Sequence, residues 1–227
     1  MPTAQRPQAV ALDVVETLVS LDAAAVALDD QGLGPDAVER LFTRLLRDGF
    51  ALAASGAYRP FRDVADSALA AMAPALAASQ REAVLATFSR LDAHPDARPA
   101  LDHLRRAGLA VVALTNGAAA TTTALLERTG LDALVARVIS VDEVQAWKPA
   151  PAPYLRAAEV LGVEPRRLAL VAVHSWDVHG AHRAGLVTGW SSRREGVFPA
   201  TFDPPDVTGA DLVEVADGLL DLSDDTP

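Results

Sequence analysis

Between residues 98 and 190 short apolar runs alternate with helix-forming runs, and this alternation constrains the fold more than any other feature of the chain. A helix over 98–107 closed by Gly108 precedes a strand over 109–114, LAVVAL. A helix over 119–129 closed by Gly130 precedes a strand over 135–140. A helix over 151–161, a strand over 168–173 (LALVAV), a helix over 178–184 and a short strand over 186–190 complete the series. Strands fed by helices at this spacing form a parallel, doubly wound sheet, an α/β fold with helices on both faces. An earlier apolar stretch over 8–14 supplies the first strand. Residues 191–209 read as loop, followed by an edge strand near 211–215 and a final helix.

From Ser20 to Leu91 the composition changes to Ala, Leu and Arg, with no strand candidate. This is expected to be a helical insertion. Its clearest helix starts at Pro35 and puts Val38, Leu41, Phe42, Leu45 and Leu46 on one face and Arg40, Arg44 and Arg47 on the other, with Gly56 at its end. A second begins at the capping box Ser79 to Glu82 and runs to about Leu91. Residues 92–99, with two prolines, return the chain. The expected division is therefore a core of 1–19 and 92–227 and a helical cap of 20–91. The apolar cap faces suit internal packing and a homodimer interface equally well.

A chain of 227 residues, 50% hydrophobic, can bury a full core. Its net charge of −10 and pI near 4.9 disfavour nucleic acid and anionic membranes as partners. No run reaches the roughly 18 apolar residues of a membrane span, and the amino-terminal stretch lacks an export signal, so a cytoplasmic location is expected. Without cysteine there is no disulfide, thiol nucleophile or thiolate metal site.

In such sheets ligands bind beyond the carboxyl ends of the strands. There the chain places Asp13 and Thr17 after the first strand, Thr115, Asn116 and Gly117 after the second, Lys148 with Tyr154 after the third, and His174, Ser175, Trp176 and Asp177 after the fourth. Each group alone has an ordinary explanation, such as a strand-end Asp capping a turn. Together they offer a carboxylate nucleophile at Asp13, a cation to keep it ionised, and a second carboxylate to orient that cation and draw a proton from water. Of twenty basic residues only Lys148 is lysine, which suggests a place for a compact ammonium that a guanidinium fork would not fit. His174 sits at a strand end where it can hydrogen-bond in the site. Trp176 suits core packing and a substrate wall equally. His179 and His182, one helical turn apart, read as solvated helix residues, so no metal site is assigned to them.

The stretches LDVVETL, LTNGA, WKPAPAPY and AVHSWD resemble, in this order, the four motifs of the haloacid dehalogenase (HAD) superfamily, including a helical cap inserted after the first. The Lys-Pro-x-Pro-x-x-Tyr run and the Trp-Asp pair are similar to the type II L-2-haloacid dehalogenases. The resemblance implies a Rossmann-like core and hydrolytic removal of halide from small 2-haloalkanoic acids through an ester on Asp13. In it Thr17, Thr115 and Asn116 bind substrate or leaving group, Lys148 pairs with Asp13, Tyr154 shapes the pocket, and Asp177 helps activate water. No cofactor is implied.

The superfamily's phosphatases usually carry a second acid two residues after the nucleophile and paired acids in the fourth motif for Mg2+. Here the first position is Val15, and Asp177 is followed by Val178 and His179. Halide is a stable anion that leaves without a proton, so Val15 suits dehalogenation. The chain departs from the haloacid enzymes at Glu16, where Gly is common, and at Ala172 and His174, where they carry Ser and Asn. The cap arginine that clamps a substrate carboxylate in those enzymes has an ambiguous register: ungapped alignment reaches Phe42, and Arg44 is the candidate, with Arg47 behind it. Two alternatives stay open, a Mg2+-dependent phosphatase using Asp13 and Asp177 as ligands, and a non-catalytic binding protein.

Overall fold

The structure, a computed structural model, describes residues 4–224; the outermost residues of the expected core, 1–3 and 225–227, lie outside it. Six strands form one parallel sheet: β1 (Ala9–Leu12), β2 (Ala110–Thr115), β3 (Arg137–Ser140), β4 (Leu168–Ala172), β5 (Val187–Ser191) and β6 (Val207–Gly209), in spatial order β3-β2-β1-β4-β5-β6. The order reverses at β1, so the loop leaving β1 lies between those leaving β2 and β4. Ligands of doubly wound sheets bind at such a point.

Alternate residues of β1 serve opposite faces. Val10 and Leu12 join one hydrophobic cluster, whereas Ala9 and Ala11 join another with Tyr154, Leu170 and Ala181. Burial on both faces explains why these strands read as continuous apolar runs. Four helices intervene between β1 and the return helix α5 (Ala97–Arg106): α1 (Asp22–Asp29), α2 (Ala37–Ala54), α3 (Phe61–Met72) and α4 (Ala78–Ala86). After α4 a 3-10 turn, Thr87–Ser89, carries the chain on to Leu91. Leu41, Phe42 and Leu45 of α2 are buried within the chain itself, as the helical spacing predicts. Neither α1 nor α3 is expected individually within the helical insertion.

The core continues with α6 (Ala119–Thr129), α7 (Pro151–Leu161), α8 (Ser175–Arg183) and α9 (Leu212–Leu220). Several boundaries differ from expectation. The stretch expected as an edge strand near 211–215 is the start of α9. Asp211 caps it by accepting hydrogen bonds from the N–H groups of Val213 and Glu214, and Leu212, Val215, Ala216 and Leu219 form its buried face. The edge strand is instead β6, inside the expected loop. Helix α8 starts at Ser175 rather than 178, which sets Trp176 and Asp177 in its first turn.

Trp147, beside Lys148, ties the inserted helices to the sheet. Its ring is fully buried, its Nε1–H donates to the Arg59 carbonyl at 2.9 Å, and it stacks on Phe61 of α3 with centroids 5.9 Å apart. Gly49 of α2 makes room for it, since a Cβ there would lie 2.4 Å from Trp147 Cε3. Gly49→Ala should therefore destabilise the protein despite the better helix propensity of Ala. The roughly 1 kcal/mol gained in propensity is outweighed by about 1 to 3 kcal/mol of overpacking. A urea unfolding midpoint at or above the parental value would contradict this packing.

Candidate active site

Asp13 follows β1 directly, and its N–H donates to the Val171 carbonyl of β4 at 3.0 Å, which fixes the residue at the sheet's carboxyl edge. Lys148, on the loop between β3 and α7, reaches it from below. Its ammonium is fully buried and makes three hydrogen bonds, to Asp13 Oδ1 at 2.8 Å, Asp177 Oδ2 at 2.6 Å and the Leu114 carbonyl at 3.0 Å. All three N–H donors of the lysine are used. Its backbone is held too, because Lys148 N–H donates to Asn116 Oδ1 at 3.0 Å.

The other carboxylate oxygens are also engaged. Thr17 donates its hydroxyl to Asp13 Oδ2 at 2.8 Å while accepting from Val173 N–H at 3.2 Å. Tyr154 donates to Asp177 Oδ1 at 2.6 Å. Gly180 of α8 allows this approach, since a Cβ there would come within 2.5 Å of Pro149 and 2.8 Å of the Tyr154 hydroxyl oxygen.

His174 adds a second charged layer. Its Nε2 lies 2.9 Å from Glu16 Oε2, and its Nδ1 lies 3.3 Å from Asp13 Oδ2, buried and outside hydrogen-bond geometry. Glu16 also receives Arg194 Nε at 3.0 Å. Its backbone has a φ of 67°, a left-handed conformation that explains the glycine in similar sequences and costs a side chain energy. The sequence reading noted Glu16 only as a departure; a charged residue where the backbone favours Gly was the available signal. Phe42 of α2 stacks on the other face of this region, its ring 5.9 Å from that of His174, and Trp176 stacks on His174 at 5.3 Å. The Lys148 ammonium lies 5.9 Å from the centre of the Trp176 ring.

Asp13, Thr17, Asn116, Lys148, Tyr154, His174, Trp176 and Asp177 thus meet in one connected cluster. Thr115 borders it, with Oγ1 accepting from Gly117 N–H at 2.9 Å, so the hydroxyl proton is free to donate elsewhere. Arg44 joins none of these contacts and makes no hydrogen bond or ion pair among the described residues; Phe42 is the α2 side chain that reaches His174.

Burial alone would raise the Asp13 carboxyl, but the Lys148 ammonium, aided by His174, holds it well below the usual carboxylate range. Asp177 goes the other way: its burial and the Asp13 charge outweigh Lys148 and push it up. Burial would lower Lys148, yet the two carboxylates raise it. Burial would likewise lower His174, but Asp13 and Glu16 push it up to about 9. Asp13 is therefore an anion, and His174 a cation, at neutral pH.

The fold and this cluster define a doubly wound α/β protein with a buried Asp-Lys-Asp centre at the sheet's switch point. The family model for haloacid dehalogenase-like hydrolases matches residues 7–185, and the chain belongs to that family. It is 33% identical over 185 residues to an (S)-2-haloacid dehalogenase of Xanthobacter autotrophicus, covering 79% of this chain and 72% of that one. It is 31% identical over 135 residues to haloacetate dehalogenase H-2 of Moraxella sp. (strain B), matching 60% of this chain and spanning 58% of that protein's length. The structure of the L-2-haloacid dehalogenase from Xanthobacter autotrophicus with chloropropionic acid covalently bound superposes with a TM-score of 0.84 at 25% identity, covering 93% of this chain and 97% of that one.

The raised His174 pKa links stability to pH. A group whose pKa rises on folding, here from 6.5 to about 9, contributes fully below the lower value and loses its contribution as pH climbs through the higher one. Unfolding free energy should fall between pH 6.5 and 9 by up to about 3 kcal/mol, and His174→Gln should flatten that slope. Urea melts across this range check it; a parental profile that does not decline contradicts the charged imidazole.

Proposed function

We propose that the protein hydrolyses the carbon–halogen bond of small 2-haloalkanoic acids. The observation that carries this reading is Asp13: a buried carboxylate held ionised by Lys148, with Val15 where a proton donor for an alkoxide would stand. One Asp13 oxygen attacks the halogen-bearing carbon, the carbon–halogen bond breaks, and halide leaves with the electron pair. This gives an ester on Asp13 and inverts the carbon. Water then adds to the ester carbonyl carbon, and Asp13 and a 2-hydroxy acid are released. The covalently bound chloropropionic acid in the Xanthobacter structure supports such an ester by likeness.

The substrate carboxylate needs donors beside Asp13. The N–H groups of Val14 and Val15 have no acceptor among the described residues, and Thr115 keeps a free hydroxyl proton. These three neutral donors suit it, with Asn116 and Trp176 bordering the halide. Both oxygens of Asp177 are taken by Lys148 and Tyr154, so it acts by orienting Lys148. The group left facing the ester is His174. When Asp13 becomes an ester its negative charge disappears, the imidazolium loses one of the two anions that stabilise it and releases its proton to solvent, and the resulting neutral imidazole can take a proton from the attacking water.

The residues present are a poor match for a Mg2+ site. Every oxygen of Asp13 and Asp177 already accepts a hydrogen bond, the Lys148 ammonium sits between them where it would repel a cation, and Glu16 is held by His174 and Arg194. The chemistry above needs no cofactor. The reading includes a cap of 20–91 over a core of 1–19 and 92–227, and a cytoplasmic setting; among the described residues no helix is long and apolar enough to cross a membrane.

Halide release from L- and D-2-chloropropionate, with and without EDTA, tests this reading beside a panel of phosphate esters. Halide release indifferent to EDTA is expected; phosphate release that EDTA abolishes would overturn it. Asp13→Asn should abolish turnover. Lys148→Arg should lower kcat by about a hundredfold or more, since the guanidinium displaces both carboxylates from their positions; kcat near the parental value would refute the role of Lys148.

A further inference from the structure

A cavity of about 130 Å³ lies against the site, walled by Val15, Phe61, Ala65, Leu85, Phe88 and Leu125. Val14, Val15 and Thr115, the residues assigned above to the substrate carboxylate, line it, together with residues of α3, α4, the 3-10 turn that follows and α6. Arg62 also lines it and pairs with Glu82; both side chains are more than half exposed. The Glu82 carboxylate already balances the Arg62 charge, so the cavity does not call for a second carboxylate on the ligand. Its lining is mainly apolar, with Phe61, Ala65, Leu85 and Phe88 from the inserted segment, and it also includes Thr121 and Thr122 of α6.

Haloacetate or 2-chloropropionate would leave this space unfilled. An apolar cavity of about 150 Å³ accepts a benzene molecule, so one slightly smaller holds a chain of about three to four carbons. We propose that the preferred substrates are 2-haloalkanoates whose halogen-bearing carbon carries such a hydrocarbon chain, 2-halopentanoates and 2-halohexanoates, with the chain lying along Phe61, Ala65, Leu85 and Phe88. This rests on the dehalogenase reading and adds the substrate class to it. Specificity then comes from the hydrophobic effect along one wall, while the neutral donors at Thr115 and the β1 loop fix the acid end.

The test is halide release from 2-bromopropionate, 2-bromobutyrate, 2-bromopentanoate and 2-bromohexanoate. Each added methylene buried in the cavity should raise kcat/KM about fourfold until the cavity is filled. Ala65→Phe, which fills the cavity, should remove the rise, and Phe88→Ala, which enlarges it, should move the optimum to a longer chain. Each variant is read as a ratio of substrates within one preparation, so a loss of folded protein does not imitate the result, and one variant suffices if the other fails to fold. A parental series that is flat or falls from propionate overturns the proposal, as does a rise that neither variant alters. No halide from any member sinks the dehalogenase reading itself.

Discussion

The structure depends on one buried ammonium. Lys148 sits with no solvent exposure between two carboxylates and a main-chain carbonyl, and every one of its donors is used. Burying such a charge costs several kcal/mol unless its geometry is nearly ideal, so the surroundings are built to hold it. Asn116 fixes its backbone, Tyr154 fixes Asp177, and Gly180 lets α8 close over the loop. Trp147, its neighbour, is clamped by Gly49, Arg59 and Phe61 of the inserted segment. The inserted helices and the lysine are thereby mechanically joined.

The same ammonium divides the labour of the two carboxylates. Asp13 keeps a small opening to the site, at 6% exposure, while Asp177 has none. One is held ionised and stays partly open; the other is pushed up and fully enclosed. The pair His174 and Glu16 adds a cation whose charge depends on Asp13 being an anion. Any chemistry that neutralises Asp13 changes the proton affinity of the imidazole beside it, so the two halves of the proposed reaction are coupled through electrostatics without a moving part.

The apolar surroundings complete this picture. Phe42 and Trp176 flank His174, and Val15 faces a cavity with hydrophobic walls. Low dielectric strengthens the interactions within the cluster and keeps solvent from competing for Asp13. The sequence feature that argued against an alkoxide leaving group, Val15, is in the folded protein also part of the cavity wall.

Much of this was legible in the chain because it is local. Alternation of strand and helix, and the placing of Asp13, Thr115, Lys148 and Asp177 just past strand ends, follow from periodicity and from the geometry of parallel sheets, and the single lysine marked its own importance. What the sequence could not decide depends on contacts between distant residues. Glu16 and His174 are 158 positions apart, and their pairing needs the β1–β4 register and the turn at Glu16. Periodicity puts Phe42 on the buried face of α2 and Arg44 on the opposite one, but which part of that face meets His174 depends on how α2 docks. The start of α9 read as a strand because Val213 and Val215 alternate with Glu214 in a short apolar run; the cap formed by Asp211 and burial against the sheet made it a helix. Pattern is set by neighbours in sequence, whereas pairing, rotation and cavity shape are set by neighbours in space, and only the folded chain supplies those.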